Sequence, residues 1–99
     1  MAVMMLAQFD GDEEELTAAY DRAHRRFVEG GGPPTGELRH HCATTAGALF
    51  IIGVWESEER VRVRFASPEF NAVLADTGFP SFSTADLTIL QLHEISPPL

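Results

Sequence analysis

Four histidines and one cysteine are the first candidates for moving a proton or holding a metal at neutral pH: His24, His40, His41, His93 and Cys42. An imidazole suits general-base removal of an acidic proton, a thiolate beside it would be a nucleophile, and three such groups converging would bind a metal. Spacing separates these chemistries. His40 and His41 are adjacent in a stretch that reads as a strand, so they point to opposite faces and cannot chelate one ion. Cys42 has no fixed cation near it in sequence and reads as a small core residue. His24 sits at the edge of a helical stripe beside Tyr20 and Val28 and reads as a boundary residue. His40 is left as the candidate base, with His93, on the last strand, a weaker polar contributor.

Five elements must position these groups. Met1 to Phe9 reads as a strand. From Asp12 to Glu29, Leu16, Ala19, Tyr20, Ala23 and Phe27 recur at helical spacing, with acids in the first turn, arginines near the end and Gly30 to Pro34 as the stop. Glu37 to Glu56 reads as a β-hairpin. A two-residue turn at Ala46-Gly47 pairs 44 with 49, 42 with 51, 40 with 53 and 38 with 55, which sets His40 beside Trp55; a three-residue loop would flip which histidine shares the tryptophan face. Ser57 caps a second helix that breaks near Pro68 and ends at Gly78. Residues 79–85 form a loop, and Asp86 to Ile95 reads as a final strand.

The order βαββαβ implies an α+β, ferredoxin-like fold: a four-stranded antiparallel sheet, order 4-1-3-2, with two helices on one face. Strands 2 and 4 are then opposite edges roughly 14 Å apart, so His93 cannot share a metal with His40 and Cys42. The strands are apolar on both faces, Leu49 and Ile51 against Phe50 and Ile52, so the second face needs a cover that the helices cannot give. A second copy of the chain is the economical cover, which predicts a homodimer.

Composition narrows the function classes. Ninety-nine residues are read as one domain, 1–99. A net charge of -8 disfavours nucleic acid and anionic membrane as partners. All seven basic residues are arginine, which excludes lysine Schiff-base chemistry. A single cysteine fits a reducing cytoplasm, and the N-terminal residues lack the basic-then-apolar order of a signal peptide.

The run from Val54 to Gly78, VWESEERVRVRFASPEFNAVLADTG, resembles the strand-then-helix segment of antibiotic biosynthesis monooxygenase-like proteins. Trp55, Glu56, Ser57, Ser67 and Phe70 carry the likeness. It implies a dimeric α+β barrel, in a family that includes cofactor-independent oxygenases of aromatic polyketides and quinols as well as haem-degrading oxygenases. Phe65 and Glu69 stand where many members have histidine, which removes candidate acid/base groups. Leu74 and Arg64 stand where the haem degraders have an iron-binding histidine and a ring-distorting tryptophan. Leucine cannot ligate iron, which argues against haem degradation.

The resulting expectation is a cofactor-free monooxygenase acting on an aromatic or polyketide-like substrate held between sheet and helices. His40 would take a phenol or enol proton and the resulting carbanion would pass an electron to O2, with no cofactor and no metal. Trp55 would hold the ring, and Gly53, mid-strand, would allow close approach by the ligand. A cyclase or isomerase using the same single base is a related possibility. The alternative is a non-catalytic dimeric binding or interaction module that keeps the barrel without its active site.

Overall fold

The structure, a computed structural model, describes residues 1–99. The chain runs β1 (Val3–Asp10), α1 (Glu13–Glu29), β2 (Glu37–Thr45), β3 (Ala48–Trp55), α2 (Glu58–Ala66), α3 (Pro68–Thr77) and β4 (Asp86–Gln91), with a 3-10 turn at Phe82–Thr84. The four strands form one antiparallel sheet in the order β2-β3-β1-β4. This is the ferredoxin-like arrangement expected from the element order, with the second helical region split in two.

The helix boundaries follow from side chains that accept orphan amide hydrogens. Asp12 accepts from Glu15 N–H at 3.0 Å, Ser57 from Arg60 N–H and Ser67 from Phe70 N–H, each at 3.3 Å. Ser67 also separates α2 from α3, because Pro68 has no N–H to continue the ladder and is tolerated only in a first turn. Gly78, at φ +79°, closes α3 in the left-handed conformation that other residues enter at a cost. The Arg22 guanidinium donates to the carbonyl oxygen of Thr77 at 2.9 and 3.1 Å, tying α1 to the end of α3.

The helix-covered face of the sheet carries Val3, Met5, Ala7 and Phe9 from β1, with Leu49, Ile51 and Trp55 from β3. Leu16, Ala19 and Ala23 of α1, Val61 of α2 and Phe70 and Leu74 of α3 close over them in one buried cluster. The other face carries Met4, Leu6, Phe50 and Ile52, all only partly buried, and Leu90, which is exposed. At one end of that face Arg39 donates to the carbonyls of Pro97 and Pro98 at 3.1 and 3.4 Å, and Val54, its partner in the ladder, is buried.

The structure corrects three expectations. The final strand stops at Gln91 rather than Ile95, because the chain beyond Leu92 leaves β1 and turns toward Arg39. Cys42 is exposed rather than core, since β2 is an edge strand. Leu38 does not pair with Trp55; the register shifts between Glu37 and Arg39, so that Glu37 faces Trp55 and Leu38 is the extra residue of a bulge.

Candidate active site

Ala46 and Gly47 form a two-residue turn, with Gly47 at φ +81°, and this fixes the hairpin register. Thr44 pairs with Leu49, Cys42 with Ile51 and His40 with Gly53, so His40 shares the helix-covered face with Trp55, whereas His41 pairs with Ile52 on the open face. The bulge at Leu38 then does what regular alternation forbids: it brings residue 37 onto the same face as residue 40.

The consequence is a chain of three polar groups. Glu37 Oε2 lies 3.1 Å from His40 Nδ1, and His40 Nε2 lies 2.6 Å from the Tyr20 hydroxyl, which α1 presents from across the cavity mouth. The network assigns the protons. An ionised Glu37 accepts from Nδ1–H, leaving Nε2 to accept from the Tyr20 O–H. Burial pushes the Tyr20 hydroxyl well above the ordinary tyrosine range, with Cys42, Glu37 and Asp21 adding in the same direction, so it stays protonated and donates. The Glu37 side chain is 10% exposed and that of His40 30%, so the carboxylate is sheltered and the imidazole still reachable. His24, one turn after Tyr20, places Nδ1 3.5 Å from the same hydroxyl and its ring 5.4 Å from that of Tyr20.

These groups border a cavity of about 160 Å³ between sheet and helices. That volume is close to the ~150 Å³ of a cavity able to take benzene. Its walls are aromatic: Phe27, Phe65, Phe70, Phe79 and Phe82 with Trp55 below. The rings brace one another, Phe65 lying 4.4 Å from Phe82 and Phe27 stacked on Phe70 at 5.3 Å between centroids. Arg64 lays its guanidinium 4.6 Å from the Phe27 ring centroid and 4.5 Å from that of Phe70.

Several solved structures share this arrangement of elements. The cofactor-independent oxygenase SnoaB of Streptomyces nogalater superposes with a TM-score of 0.68 at 18% identity, over 98% of each chain. Rv0793 of Mycobacterium tuberculosis gives 0.69 at 14% identity, over 97% of this chain and 99% of its own. A protein described as an antibiotic biosynthesis monooxygenase gives 0.66 at 13% identity, over 93% of this chain and 99% of its own. The fold is that of the antibiotic biosynthesis monooxygenase-like proteins. No family model matches the sequence, and no curated protein matches it.

Within this antibiotic biosynthesis monooxygenase-like fold, the residues singled out from sequence separate. His40 and Trp55 line the cavity. Gly53 lies directly under the indole: a Cβ there would come 2.7 Å from Trp55 Nε1, so the glycine serves the tryptophan's seat. His93 is exposed beyond the end of β4 and is not among the cavity residues. The helix positions without histidine also differ in fate, Phe65 joining the aromatic wall while Glu69 is exposed and accepts from Ser67 Oγ. No three His, Cys, Asp or Glu side chains converge as metal ligands, and no helix is long and apolar enough to cross a membrane.

Sequence reasoning missed Tyr20, Glu37 and Arg64 as site residues. Tyr20 and His24 carried a usable signal, two polar-tipped rings four apart on an otherwise apolar stripe. Glu37 carried none, because its face depends on a bulge that nothing in the residue types announces.

Proposed function

We propose that this protein is a small-molecule enzyme of the cofactor-independent oxygenase kind, acting on an aromatic or polyketide-like substrate whose reacting ring enters the cavity. The observation that carries the reading is the Tyr20–His40–Glu37 chain at the edge of an aromatic cavity. The likeness to SnoaB, itself a cofactor-independent oxygenase, supports it.

The groups act in sequence. A substrate phenol or enol gives its proton to the Tyr20 oxygen as the tyrosine proton passes to His40 Nε2, and Glu37 stabilises the imidazolium. The substrate anion then supplies the electrons that reduce O2. For a ring methylene flanked by aromatic carbons, the balance is CH2 plus O2 to C=O plus H2O, with both hydrogens leaving as water. His40 is thus the base, Tyr20 the group that meets the substrate, and Glu37 a positioning residue. Trp55 supports the ring from below, seated on Gly53.

We further propose that the chain pairs with a second copy through the open sheet face, where Met4, Leu6, Phe50 and Ile52 lie without a cover from their own chain. The single cysteine, a neutral thiol on a sheet edge, supports a reducing compartment such as the cytoplasm.

The test is oxygen uptake with anthrones, quinols and hydroxylated polycyclic phenols, measured for the native chain, His40→Ala and Tyr20→Phe. Uptake that falls by about 10²-fold or more in both variants is expected. Full turnover by His40→Ala would remove the assignment. The competing reading is a binding module, which Phe65 and Glu69 favour because α2 and α3 bring no proton-transfer group to the cavity. It would show ligand binding without oxygen uptake across the panel.

A further inference from the structure

Six of the seven arginines are accounted for by ordinary partners or by water. Arg22 holds the Thr77 carbonyl, Arg39 those of Pro97 and Pro98, and Arg26 meets Asp76 at 3.6 Å. Arg60 pairs with Glu56, just before α2, Arg62 pairs with Glu58 within it, and Arg25 is exposed. Arg64 differs. It is half-buried, borders the cavity, and has no carboxylate or carbonyl within hydrogen-bond reach; its only close neighbours of note are the faces of Phe27 and Phe70.

Ring faces attract a guanidinium but use none of its five N–H donors. Burial lowers the Arg64 pKa from its usual value, with Glu37 acting against that shift from a distance too long for an ion pair. The Glu37 carboxylate is itself committed to His40. Trp55 Nε1–H, also without a partner, is buried against Gly53 and is closed to a ligand. An aromatic cavity with a planar cation on one wall suits a flat molecule carrying an anionic oxygen group.

We propose that the cavity recognises an aromatic oxyanion, its ring among the phenylalanines and its ionised oxygen group, a carboxylate in the simplest case, on the Arg64 guanidinium. This rests on reading the cavity as the ligand site. Arg64 matches such a group with two parallel N–H donors. The cavity volume holds one ring, so further rings of a larger ligand extend outside it.

The experiment compares 4-hydroxybenzoate with 4-hydroxybenzamide, two ligands of the same ring and nearly the same size that differ in charge. Binding is read by calorimetry and by the fluorescence of Trp55, which is the only tryptophan. The native chain should bind the carboxylate at least tenfold more tightly, with a preference that shrinks as salt rises. Arg64→Gln should abolish the preference and Arg64→Lys keep part of it, circular dichroism confirming that each is folded. Equal affinities in the native chain, a preference surviving in folded Arg64→Gln, or no binding of either compound at millimolar concentration would overturn the proposal. If Arg64→Gln does not fold, the native comparison and its salt dependence decide alone. A carboxylate preference without oxygen uptake on any substrate would leave the Arg64 site standing and sink the oxygenase reading; uptake without the preference would do the reverse.

Discussion

Glu37 and His40 lie on the same face of β2, carboxylate Oε2 to Nδ1 at 3.1 Å, although they are three positions apart in a strand. Leu38 makes this possible as the bulged residue, and at 40% exposed it contributes little else. The strand therefore trades one regular pairing for a carboxylate that orients the base.

The first prediction follows from that contact. Glu37→Gln keeps the shape of the side chain while removing the charge that stabilises the imidazolium. Turnover should fall by about 10²-fold with KM little changed, because the loss is confined to the transition state. An equal fall in substrate affinity, measured by steady-state kinetics, would show that Glu37 shapes the cavity instead.

Alkaline stability gives a second prediction with a defined sign. Tyr20 and Cys42 are both held protonated in the folded chain, Tyr20 well above its usual range and Cys42 at about 11, by desolvation first and by neighbouring negative charge second. The folded state then binds more protons than the unfolded state once pH passes the unfolded values, about 9 for the thiol and about 10 for the phenol. The contribution of these two groups should be flat below pH 8 and decline as pH rises through that window. Urea unfolding of Tyr20→Phe should show a shallower decline than the native chain; identical slopes would mean that Tyr20 is not desolvated. The same Cys42 shift predicts slow alkylation by iodoacetamide at neutral pH despite exposure, since the thiolate is the nucleophile.

Gly53→Ala tests the seat of the tryptophan. The new Cβ would meet Trp55 Nε1 at 2.7 Å and the Glu37 carboxylate at 3.5 Å. Displacing a buried indole should cost about 1–3 kcal/mol, with Tm falling roughly 4–8 °C for each kcal/mol in a chain of this length. The Trp55 emission spectrum should shift with it. An unchanged Tm and spectrum would show that the indole has room to move.

For the open sheet face, sedimentation equilibrium should give a dimer at micromolar concentration, and Ile52→Glu should give a folded monomer. A native chain that sediments as a monomer would leave that face to another cover.

The strand and helix order was legible because the apolar spacing and the helix-end residues point the same way: Ser57 is a cap in sequence and in structure, and Pro68 and Gly78 fall at the start and end of α3. The hairpin register from residue 40 to residue 53 was legible too, since a two-residue turn allows only one pairing. Cys42 was misread because periodicity reports which face a residue takes and not whether a helix reaches that far across the sheet. Leu38 was misread because a bulge adds a residue without changing the residue types around it. Glu37 and Tyr20 come together across seventeen positions of chain, and only the packing of α1 over β2 makes them one site.

Arg39 joins the chain after β4 to the opposite edge strand through the Pro97 and Pro98 carbonyls. A force pulling β2 away from β4 would thus load the three strand ladders in series and this tether in parallel with them. The two edges of the sheet are thereby linked by a contact that runs outside the strand ladders.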